Sequence, residues 1–372
     1  MKRSAVRVIG VIGGGQLARM MIGPAIELGL ELRVLAETND SSARDRATTV
    51  GDFRDLDTVR AFAQGVDVIT FDHEHVPSDI IVALEDAGVI VRPGSAALAV
   101  AQDKIVMRRL LEELGHPLPV WGVAETAADV SVFLEANGGR VIAKVPRGGY
   151  DGKGVAVVTD AAQVAEWLDR GPVLLEEMVD FSRELAQLVA RRPNGETTVW
   201  PAVETTQSNG VCAEVILPAP TDDGRIIEMA AELGRQIAID VNVTGVLAVE
   251  LFETTDGRLL VNELAMRPHN SGHVTIEGSV TSQFEQHLRG ICDMPLGSTS
   301  SQHPWAVMVN VFGAMDLGRY NGLSKYSDVK LHNYGKEPRA GRKVGHVTAT
   351  GTDVADTTSR ARAVAEIFHA DI

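Results

Sequence analysis

Short apolar runs alternate with amphipathic stretches over the first hundred residues of the chain. Residues 6–12 form an apolar run, and Gly13-Gly14-Gly15 follows it directly. Apolar positions with helical spacing continue from 16 to 28, and a second apolar run covers 32–36. A buried strand, a glycine turn, a helix and a second strand in this order predict a parallel β-α-β unit.

The same alternation continues to about residue 100. Further short apolar runs lie at 66–71 and 89–91, with helix-like stretches between them. This order predicts a doubly wound parallel α/β domain with helices on both faces of its sheet. Pro93-Gly94-Ser95 then interrupts the pattern, and one long helix is predicted over 96–114, ended by Gly115.

Beyond that helix, strands and helices alternate in an α+β manner to about residue 296. Pro295, Gly297 and the polar run 298–301 mark a second boundary. The tail predicts a small β-rich unit, with strands and one closing helix at 305–312, 329–334, 344–349 and 357–368. We therefore expect three domains, at residues 1–100, 101–296 and 297–372.

The composition narrows the classes of function. Of the 372 residues 45% are hydrophobic, which is enough for a sizeable core, and the net charge is −15. A general nucleic-acid binder needs a basic face, so we expect no nucleic-acid partner. A locally basic pocket for ATP is compatible with an acidic chain.

Cysteine usage and the N-terminal residues bear on location. Cys212 and Cys292 are too few for a disulfide framework or a zinc site, and they predict reduced thiols in the cytoplasm. The apolar run after Met1 breaks at Gly13, which makes it too short to span a bilayer. We therefore expect no association with a membrane.

A glycine-rich segment lies between strand-like runs at 141–144 and 155–158. Residues 147–154 read Arg-Gly-Gly-Tyr-Asp-Gly-Lys-Gly, and their four glycines would weaken a strand. The absence of side chains lets backbone N–H groups approach phosphate oxygens, and Lys144 and Lys153 add positive charge at both ends. A strand rather than a helix follows, so this is not a Walker A loop. We predict a hairpin flap that closes over a nucleoside triphosphate.

Two glutamates on a predicted hairpin form a second candidate site. Two strand-like runs flank Asp256-Gly257, which is a strong signal for a two-residue turn. In that register Glu250 lies directly opposite Glu263, with Cβ atoms about 4.5–5.5 Å apart and like charges in contact. A bound Mg²⁺ removes that repulsion, since it takes one or two carboxylates together with phosphate oxygens. Asn262 can reach the metal or a phosphate only if its strand bends.

Three further clusters carry candidate chemistry. The segment 267–273, Arg-Pro-His-Asn-Ser-Gly-His, combines a cation, imidazoles and an amide that suit an anion. After an apolar strand, residues 176–179 can offer backbone groups to an adenine edge, and Glu184 can accept hydrogen bonds from ribose hydroxyls. A basic cluster near the end of the chain contains Arg339, Arg342, Lys343 and His346.

The glycines after the first strand allow two functional interpretations. Gly13, Gly15 and Ala18 have the spacing of a dinucleotide fingerprint, and Glu37 fits its ribose-binding acid. The same helix N-terminus can hold any other anion, including a phosphorylated substrate.

In their order these motifs resemble the ATP-grasp superfamily and, more closely, the 5-(carboxyamino)imidazole ribonucleotide synthases. Gly-Tyr-Asp-Gly-Lys-Gly together with His-Asn-Ser-Gly-His is a highly specific combination, and the resemblance extends from about residue 6 to about 346. The matching segments are 14–17 with Arg19 and Met20, 148–154, 262–265, 267–273 and 341–346.

The resemblance implies a fold and a reaction. The fold is an N-terminal preATP-grasp α/β domain, a central ATP-grasp domain and a small β-rich C-terminal domain. The reaction joins ATP, bicarbonate and 5-aminoimidazole ribonucleotide, and gives the N-carboxylated product, ADP and phosphate in purine biosynthesis. ATP and Mg²⁺ are the implied cofactors, and a homodimer is the implied assembly.

The resemblance also implies roles for individual residues. For ATP these are Lys104, Lys144, Gly149, Tyr150, Asp151, Gly152, Lys153, Gly154, Val155, Glu176, Glu177, Met178, Val179, Glu184, Gln207, Asn262 and Glu263. For Mg²⁺ they are Glu250 and Glu263. For bicarbonate or its activated form they are the catalytic candidates Arg267, His269, Asn270 and Lys343. For the imidazole ribonucleotide they are Gln16, Leu17, Glu74, Tyr150, Asp151, Lys153 and Arg342.

The chain departs from the family pattern at a few positions. Gln207 stands where a histidine is expected near the nucleotide, and Met266 stands where the family usually has proline. The segment 72–75 is richer in histidine than the usual acidic stretch. Gln207 puts one ATP contact in question, and His73 and His75 leave room for local variation in substrate binding.

Other functions remain open at this point. A formate-dependent ribonucleotide transformylase of the same superfamily would share the pair of acids but not the cluster at 267–273. A nicotinamide-dependent oxidoreductase built on 13–18 would leave the second half of the chain without a role. A non-catalytic nucleotide sensor would have lost the metal ligands, whereas Glu250 and Glu263 are both present.

Overall fold

The structure is a computed structural model that describes residues 7–149, 153–208, 210–222 and 224–370. Its first unit contains β1 (Val8–Ile12), α1 (Gln16–Glu27), β2 (Glu31–Ala36), β3 (Ala47–Val50), α2 (Leu56–Ala63), β4 (Val68–Phe71), α3 (Ser78–Asp86) and α4 (Ser95–Gln102). These strands form a parallel sheet in the order β3-β2-β1-β4, which confirms the predicted α/β class.

Both faces of this parallel sheet are covered by apolar side chains. On one face α1 packs with Phe284 and Leu288, which come from a helix more than 250 residues further along the chain. On the other face α2 and α3 supply Phe62 and Ile80. The strand predicted at 89–91 is reduced to a single bridge between Val91 and Ile69.

The second unit contains two antiparallel sheets. Its elements are α5 (Lys104–Glu113), β5 (Trp121–Ala124), α6 (Ala127–Ala136), β6 (Val141–Lys144), β7 (Val155–Val158), α7 (Ala165–Leu168), β8 (Val173–Glu177), β9 (Phe181–Arg191), β10 (Thr197–Val199), β11 (Val203–Ser208), β12 (Val211–Leu217), α8 (Arg225–Asp240), β13 (Gly245–Thr254), β14 (Leu259–Ala265), α9 (Thr275–Gly278) and α10 (Gln283–Ile291). The smaller sheet, ordered β5-β8-β6-β7, holds the glycine-rich segment between β6 and β7.

The prediction of one helix over 96–114 is wrong, and the break matters for the site. Asp103 has an extended backbone, and its carboxylate accepts the N–H groups of Ile105 and Val106 as the N-cap of α5. Such capping begins a new helix. Apolar periodicity continues through the break, so the pattern alone did not reveal it. As a consequence Lys104 lies at a helix start instead of in the middle of a long helix.

The third unit continues the larger sheet of the second. Its elements are β15 (Trp305–Met315), β16 (Lys330–Asn333), β17 (Arg339–Gly351), α11 (Val354–Phe368) and β18 (His369–Ala370). The main path of the sheet runs β14-β13-β9-β11-β12-β15-β17-β16, so hydrogen bonds between β12 and β15 join the two units. Within the described ranges, no helix has the length and apolar character needed to cross a bilayer.

Candidate active site

A cavity of about 520 Å³ opens between the smaller sheet and the larger one. Its wall brings together groups that are distant in sequence, from the flap strands, from β8 and β9, from the β13–β14 hairpin and from β17. The predicted residues on this wall are Glu74, Lys104, Lys144, Gly149, Val155, Glu176, Glu177, Met178, Val179, Glu184, Gln207, Glu250, Asn262, Glu263, Arg267, His269, Asn270 and Lys343.

The hairpin places Glu250 directly opposite Glu263, as predicted, but its turn and its strand register differ from those predicted. The turn has three residues rather than two, because Thr254 pairs with Arg258 and Gly257 takes a left-handed φ of 79°. That turn alone would shift the register by one residue. A β-bulge at residue 262 of β14 restores it, since Leu251 pairs with residue 261 and Glu250 with residue 263.

The bulge also provides the bend that Asn262 needed. A regular strand would send residues 262 and 263 to opposite faces, yet Asn262 and Glu263 both line the cavity. The side-chain oxygen of Asn262 accepts a hydrogen bond from Lys144 Nζ at 3.0 Å. Two consecutive polar side chains of one strand are therefore available to the same ligand.

Burial and nearby negative charges affect the pKa of one acid of the pair. Burial raises the pKa of Glu250 to about 7, and the nearby carboxylates of Glu263 and Glu184 contribute in the same direction. Lys104 Nζ donates to Glu263 Oε1, and His269 Nε2 lies 3.2 Å from Glu250 Oε1. The two carboxylates thus lie where a further cation would relieve an electrostatic penalty.

Arg108 is a site-forming residue that the sequence analysis missed. It is fully buried, and its Nε donates to Glu176 Oε1 at 2.7 Å. Its Nη2 donates to the carbonyl oxygen of the bulged residue Asn262, also at 2.7 Å. Lys144 Nζ approaches the other oxygen of Glu176 at 2.7 Å. Arg108 lies one helical turn after Lys104, and that spacing was the available signal.

The pKa values of this buried group follow from its contacts. Burial would raise the pKa of Glu176, but the cations of Lys144 and Arg108 hold it below its usual value. Burial lowers the pKa of Lys144, against the attraction of Glu176. The Glu176 carboxylate is thus paired with two cations inside the protein. The predicted contact with the adenine edge therefore stays a prediction for the backbone groups of residues 176–179.

The expected adenine and ribose end of the cavity contains both apolar and acidic groups. Phe181 stacks on Phe252 with ring centroids 4.7 Å apart, and both side chains line the wall. Burial raises the pKa of Glu184, whose Oε2 accepts a hydrogen bond from Gln207 Nε2 at 3.1 Å. The Gln207 amide thus contacts the carboxylate predicted to bind ribose, at the position where a histidine was expected.

The segment Arg267–His273, here called the anion loop, is ordered by Gln283 from α10. The side-chain amide of Gln283 accepts the N–H of His269 at 2.8 Å and donates to its carbonyl oxygen at 2.7 Å. The same amide nitrogen lies 2.9 Å from His273 Nδ1. Gln283 lies ten or more residues away in an ordinary amphipathic helix, so no local pattern indicated this role.

His269 is a neutral imidazole with a defined tautomer. Burial lowers its pKa to about 3, and the positive charges of Arg267 and Lys343 add to that effect. The backbone N–H of Ser271 points at His269 Nδ1 at 3.4 Å, and the Ser271 hydroxyl lies 2.9 Å from the same nitrogen. An Nδ1 that accepts satisfies both groups, and the ring proton is then on Nε2. The contact with Glu250 is therefore a hydrogen bond donated by a neutral ring, rather than an ion pair.

The predicted ribonucleotide residues separate into two sets. Glu74 lies at the cavity, where Arg267 Nε donates to its Oε2 at 2.7 Å. Gln16 begins α1 outside the cavity wall, and its side-chain oxygen accepts from Lys336 Nζ at 2.5 Å. The Leu17 side chain is buried in the core under α1, which leaves only its backbone for a ligand.

The remaining predictions fall on or beside the flap and on the C-terminal unit. Arg342 is half-buried on β17, and its Nη1 donates to the Glu337 carbonyl oxygen at 3.2 Å. Lys153 and Gly154 form a turn directly before β7 and are not part of the cavity wall. The predictions for Tyr150, Asp151 and Gly152 lie outside the described residues.

Glu37, which the dinucleotide interpretation assigned to ribose, contacts other groups of the protein. Its carboxylate accepts the N–H of Gly14 at 3.1 Å and lies 3.2 Å from His73 Nε2. The contact with His73 is the main reason that its pKa falls to about 2. Asp72, which the sequence analysis did not single out, accepts the N–H of Ala18 at 2.8 Å in the first turn of α1.

Models of protein families match three consecutive parts of the chain. The ribonucleotide synthetase preATP-grasp domain matches residues 6–102, and the ATP-grasp domain matches 109–284. The phosphoribosylaminoimidazole carboxylase C-terminal domain matches 306–360. The three matches follow the order in which the sequence motifs occur.

Curated proteins named N5-carboxyaminoimidazole ribonucleotide synthase match almost the whole chain. The N5-carboxyaminoimidazole ribonucleotide synthase of Corynebacterium ammoniagenes is 48% identical, over 97% of this chain and 92% of its own length. A solved ADP complex of an N5-carboxyaminoimidazole ribonucleotide synthetase superposes with a TM-score of 0.92 at 32% identity, covering 99% of this chain and 98% of that one.

A third similar protein was solved with two ligands together. The Aspergillus clavatus N5-carboxyaminoimidazole synthase, in complex with ADP and 5-aminoimidazole ribonucleotide, has a TM-score of 0.88 at 28% identity and covers 98% of both chains. Identity and coverage of this extent, together with the three domain matches, establish membership. The chain belongs to the family of N5-carboxyaminoimidazole ribonucleotide synthases.

Proposed function

We propose that this protein uses ATP to join bicarbonate to the amine of 5-aminoimidazole ribonucleotide in purine biosynthesis. The observation that carries the proposal is that one cavity holds both the opposed acids Glu250 and Glu263 and the anion loop. The acids suit a metal-bound triphosphate, and the loop suits a small anion beside it. A transformylase of the same fold would need the acids without the loop.

ATP would lie between the two sheets. Lys104 and Lys144 reach the cavity from α5 and β6, and they would meet the phosphates together with the flap backbone at Gly149 and Gly154. The base would rest between the flap strands and the Phe181–Phe252 stack, with the backbone of residues 176–179 at its edge. Glu184 and Gln207 would hold the ribose.

The residues present fit Mg²⁺. Across the described ranges, no group of three or more histidine, cysteine or acidic side chains is arranged to hold a metal by itself. Mg²⁺ is commonly held by one or two carboxylates with substrate phosphates completing its ligand set, and here Glu250 and Glu263 are opposed beside the Asn262 amide. When bound, the ion would neutralise charge on the transferring phosphoryl group.

The anion loop would receive bicarbonate. Arg267 and Lys343 supply positive charge, and the neutral His269 ring adds none, because its one N–H is donated to Glu250. With a pKa of about 3, His269 does not act as an imidazolium proton donor near neutral pH. Catalysis at this end of the cavity then depends on position and charge stabilisation rather than on acid–base chemistry by histidine.

The chemistry balances with these groups alone. A bicarbonate oxygen attacks the γ-phosphorus and ADP leaves, which gives carboxyphosphate. The substrate amine then forms the new C–N bond as the bond from carbon to the bridging oxygen breaks, and the departing inorganic phosphate takes the proton that the amine loses. Alternatively, carbon dioxide leaves first and the same amine captures it. The closed flap would exclude water from this short-lived intermediate.

The aminoimidazole ribonucleotide would approach from the N-terminal unit. Glu74 is held by Arg267 at the cavity wall, where it can face the amine. The N-terminus of α1 can hold the ribonucleotide phosphate through its backbone N–H groups. The further residues proposed for this substrate are Gln16, Leu17 through its backbone, Tyr150, Asp151, Lys153 and Arg342.

Phosphate release with one substrate omitted at a time tests the function. We expect ATP turnover to require both 5-aminoimidazole ribonucleotide and bicarbonate, because neither half of the reaction consumes ATP productively without the other substrate. The assay uses degassed buffer, and formate replaces bicarbonate in a parallel series. Equal rates with and without bicarbonate would reject the proposal, and restoration by formate would favour the transformylase.

The domain boundaries, the assembly and the location of the protein are part of the same proposal. The division at residues 1–100, 101–296 and 297–372 is supported by domain matches that end and begin near those boundaries. A homodimer is supported by the family resemblance alone. A cytoplasmic location is supported by Cys212 and Cys292, whose thiols are buried and not joined in a disulfide.

A further inference from the structure

A row of polar side chains on the C-terminal part of the large sheet faces the anion loop and the short helix after it. Asn310 of β15 pairs directly with His346 of β17, which pairs in turn with His332 of β16. Directly opposed residues of neighbouring strands share one face of a sheet. The row therefore presents an amide and two imidazoles to the same neighbouring element.

Each member of the row has its own partner on that element. The contacts are Asn310 with Asn270, His346 with His273 at 5.1 Å between ring centroids, and His332 Nε2 with Glu277 Oε1 at 2.8 Å. The partners are spaced by three and four residues, as on one face of a helix. Among them Asn270 lines the cavity, so only the first contact reaches the site directly.

The contact between Asn310 and Asn270 is reciprocal. Asn310 Nδ2 donates to Asn270 Oδ1 at 2.7 Å, and Asn270 Nδ2 donates to Asn310 Oδ1 at 3.2 Å. Both side chains are buried, with 4% and 8% of their surface exposed. A paired amide of this kind holds its partner in one plane, and the loss of either side leaves a buried polar group without its hydrogen bond.

A backbone group fixes which way the pair faces. Asn310 Nδ2 also donates to the carbonyl oxygen of Cys212 on β12 at 2.9 Å. A carbonyl oxygen only accepts, so the nitrogen of Asn310 must face β12 and its oxygen must face Asn270 Nδ2. Asn270 in turn must present its oxygen to Asn310, which leaves its second N–H for the cavity.

We propose that Asn310 is a positioning residue for the carboxylation reaction, acting through Asn270. It aims an N–H of the anion loop at the bound bicarbonate, and it lies on the C-terminal unit rather than on the ATP-binding one. This inference rests on the proposed function, since the anion it serves is bicarbonate. It also gives the C-terminal sheet a part in the chemistry.

The test is a double-mutant cycle with Asn310→Leu, Asn270→Ala and the double variant. Leucine keeps the branched shape and the number of heavy atoms of the Asn310 side chain, and it removes all its hydrogen bonds. We expect Asn310→Leu to lower kcat/KM for bicarbonate by about tenfold to thirtyfold, the range for one or two lost hydrogen bonds, with the KM for ATP changed less than about twofold. The double variant should be no slower than Asn270→Ala alone, because both changes remove the same interaction.

His332→Gln is the matched control, since it disrupts the same interface without touching Asn270. It is expected to lower the melting temperature while leaving the KM for bicarbonate unchanged. Asn310→Ser, which is too short to reach Asn270, serves as a second variant if the leucine variant does not fold. It should show the same coupling.

The outcomes separate this inference from the proposed function. Independent, multiplicative effects of the two substitutions would overturn the role of Asn310, as would an equal loss of kcat/KM for bicarbonate in His332→Gln. Wild-type protein that turns over ATP without any dependence on bicarbonate would overturn the proposed function, and the inference with it.

Discussion

The Glu263→Gln variant is expected to lose about a thousandfold or more in the rate of ATP turnover while keeping its fold. Glutamine has the shape of glutamate, but it removes a negative charge from the opposed pair and gives Lys104 a neutral partner. Loss of one group that stabilises developing charge lowers kcat by about 10²–10³ in other enzymes, and the loss of a metal ligand adds to that. Phosphate release at saturating substrates measures the rate, and thermal unfolding reports on the fold.

Glu253→Gln is the control on the same hairpin. Glu253 pairs with Leu259 of β14, and its carboxylate accepts from Arg183 Nε at 2.5 Å, away from the cavity wall. We expect its turnover to stay within about twofold of wild type, since a partly exposed ion pair contributes little. A Glu263→Gln variant with near-normal turnover would refute the metal-binding role of the acid pair. A Glu253→Gln variant that is equally inactive would show that the effect is not local to the cavity.

The Arg108→Met variant is expected to lower the free energy of unfolding by about 3–5 kcal/mol, the usual range when one partner of a buried ion pair is removed. Methionine approximates the length of the arginine stem but supplies no donor. It would leave Glu176 with only Lys144 and would remove the donor to the Asn262 carbonyl oxygen at the bulge. Urea denaturation followed by circular dichroism gives the unfolding free energy.

Arg109→Met provides the matched comparison, because Arg109 is the next residue of the same helix and is exposed. A change at such a position is expected to stay within about 0.5 kcal/mol. If the two variants unfold at the same urea concentration, the buried cluster does not stabilise the protein as described. If Arg108→Met keeps the unfolding free energy of the wild type but loses turnover, the stability prediction is wrong. Arg108 would then act only by placing the two acids of the hairpin.

Local patterns in the sequence predicted the layers of the fold and the chemistry of the cavity. Apolar periodicity and glycine turns are sufficient for a parallel β-α-β unit, and they placed β1, α1 and β2 within two residues. The opposition of Glu250 and Glu263 was predicted correctly from an incorrect turn. The three-residue turn and the bulge at Asn262 each shift the register by one residue, and the two shifts cancel.

Features that depend on tertiary contact were not accessible from the sequence. Arg108 and Glu176 are 68 residues apart, and Asn270 and Asn310 are 40 apart, so no local pattern connects them. The helix break at Asp103 was hidden for another reason. Apolar residues keep their helical spacing on both sides of the Asp103 cap, so the periodicity indicates one continuous helix although the cap begins a new one. Tertiary contacts of this kind determine the direction in which a functional side chain points. Local sequence patterns indicate only where along the chain such a side chain lies.

Transfer of ¹⁸O from labelled bicarbonate to inorganic phosphate is the decisive measurement, because it reports whether the acid pair and the anion loop bring ATP and bicarbonate together for phosphoryl transfer. We expect phosphate released in the presence of 5-aminoimidazole ribonucleotide to carry one ¹⁸O atom derived from bicarbonate. Phosphate that carries no label from bicarbonate, and instead takes its fourth oxygen from solvent, would contradict it.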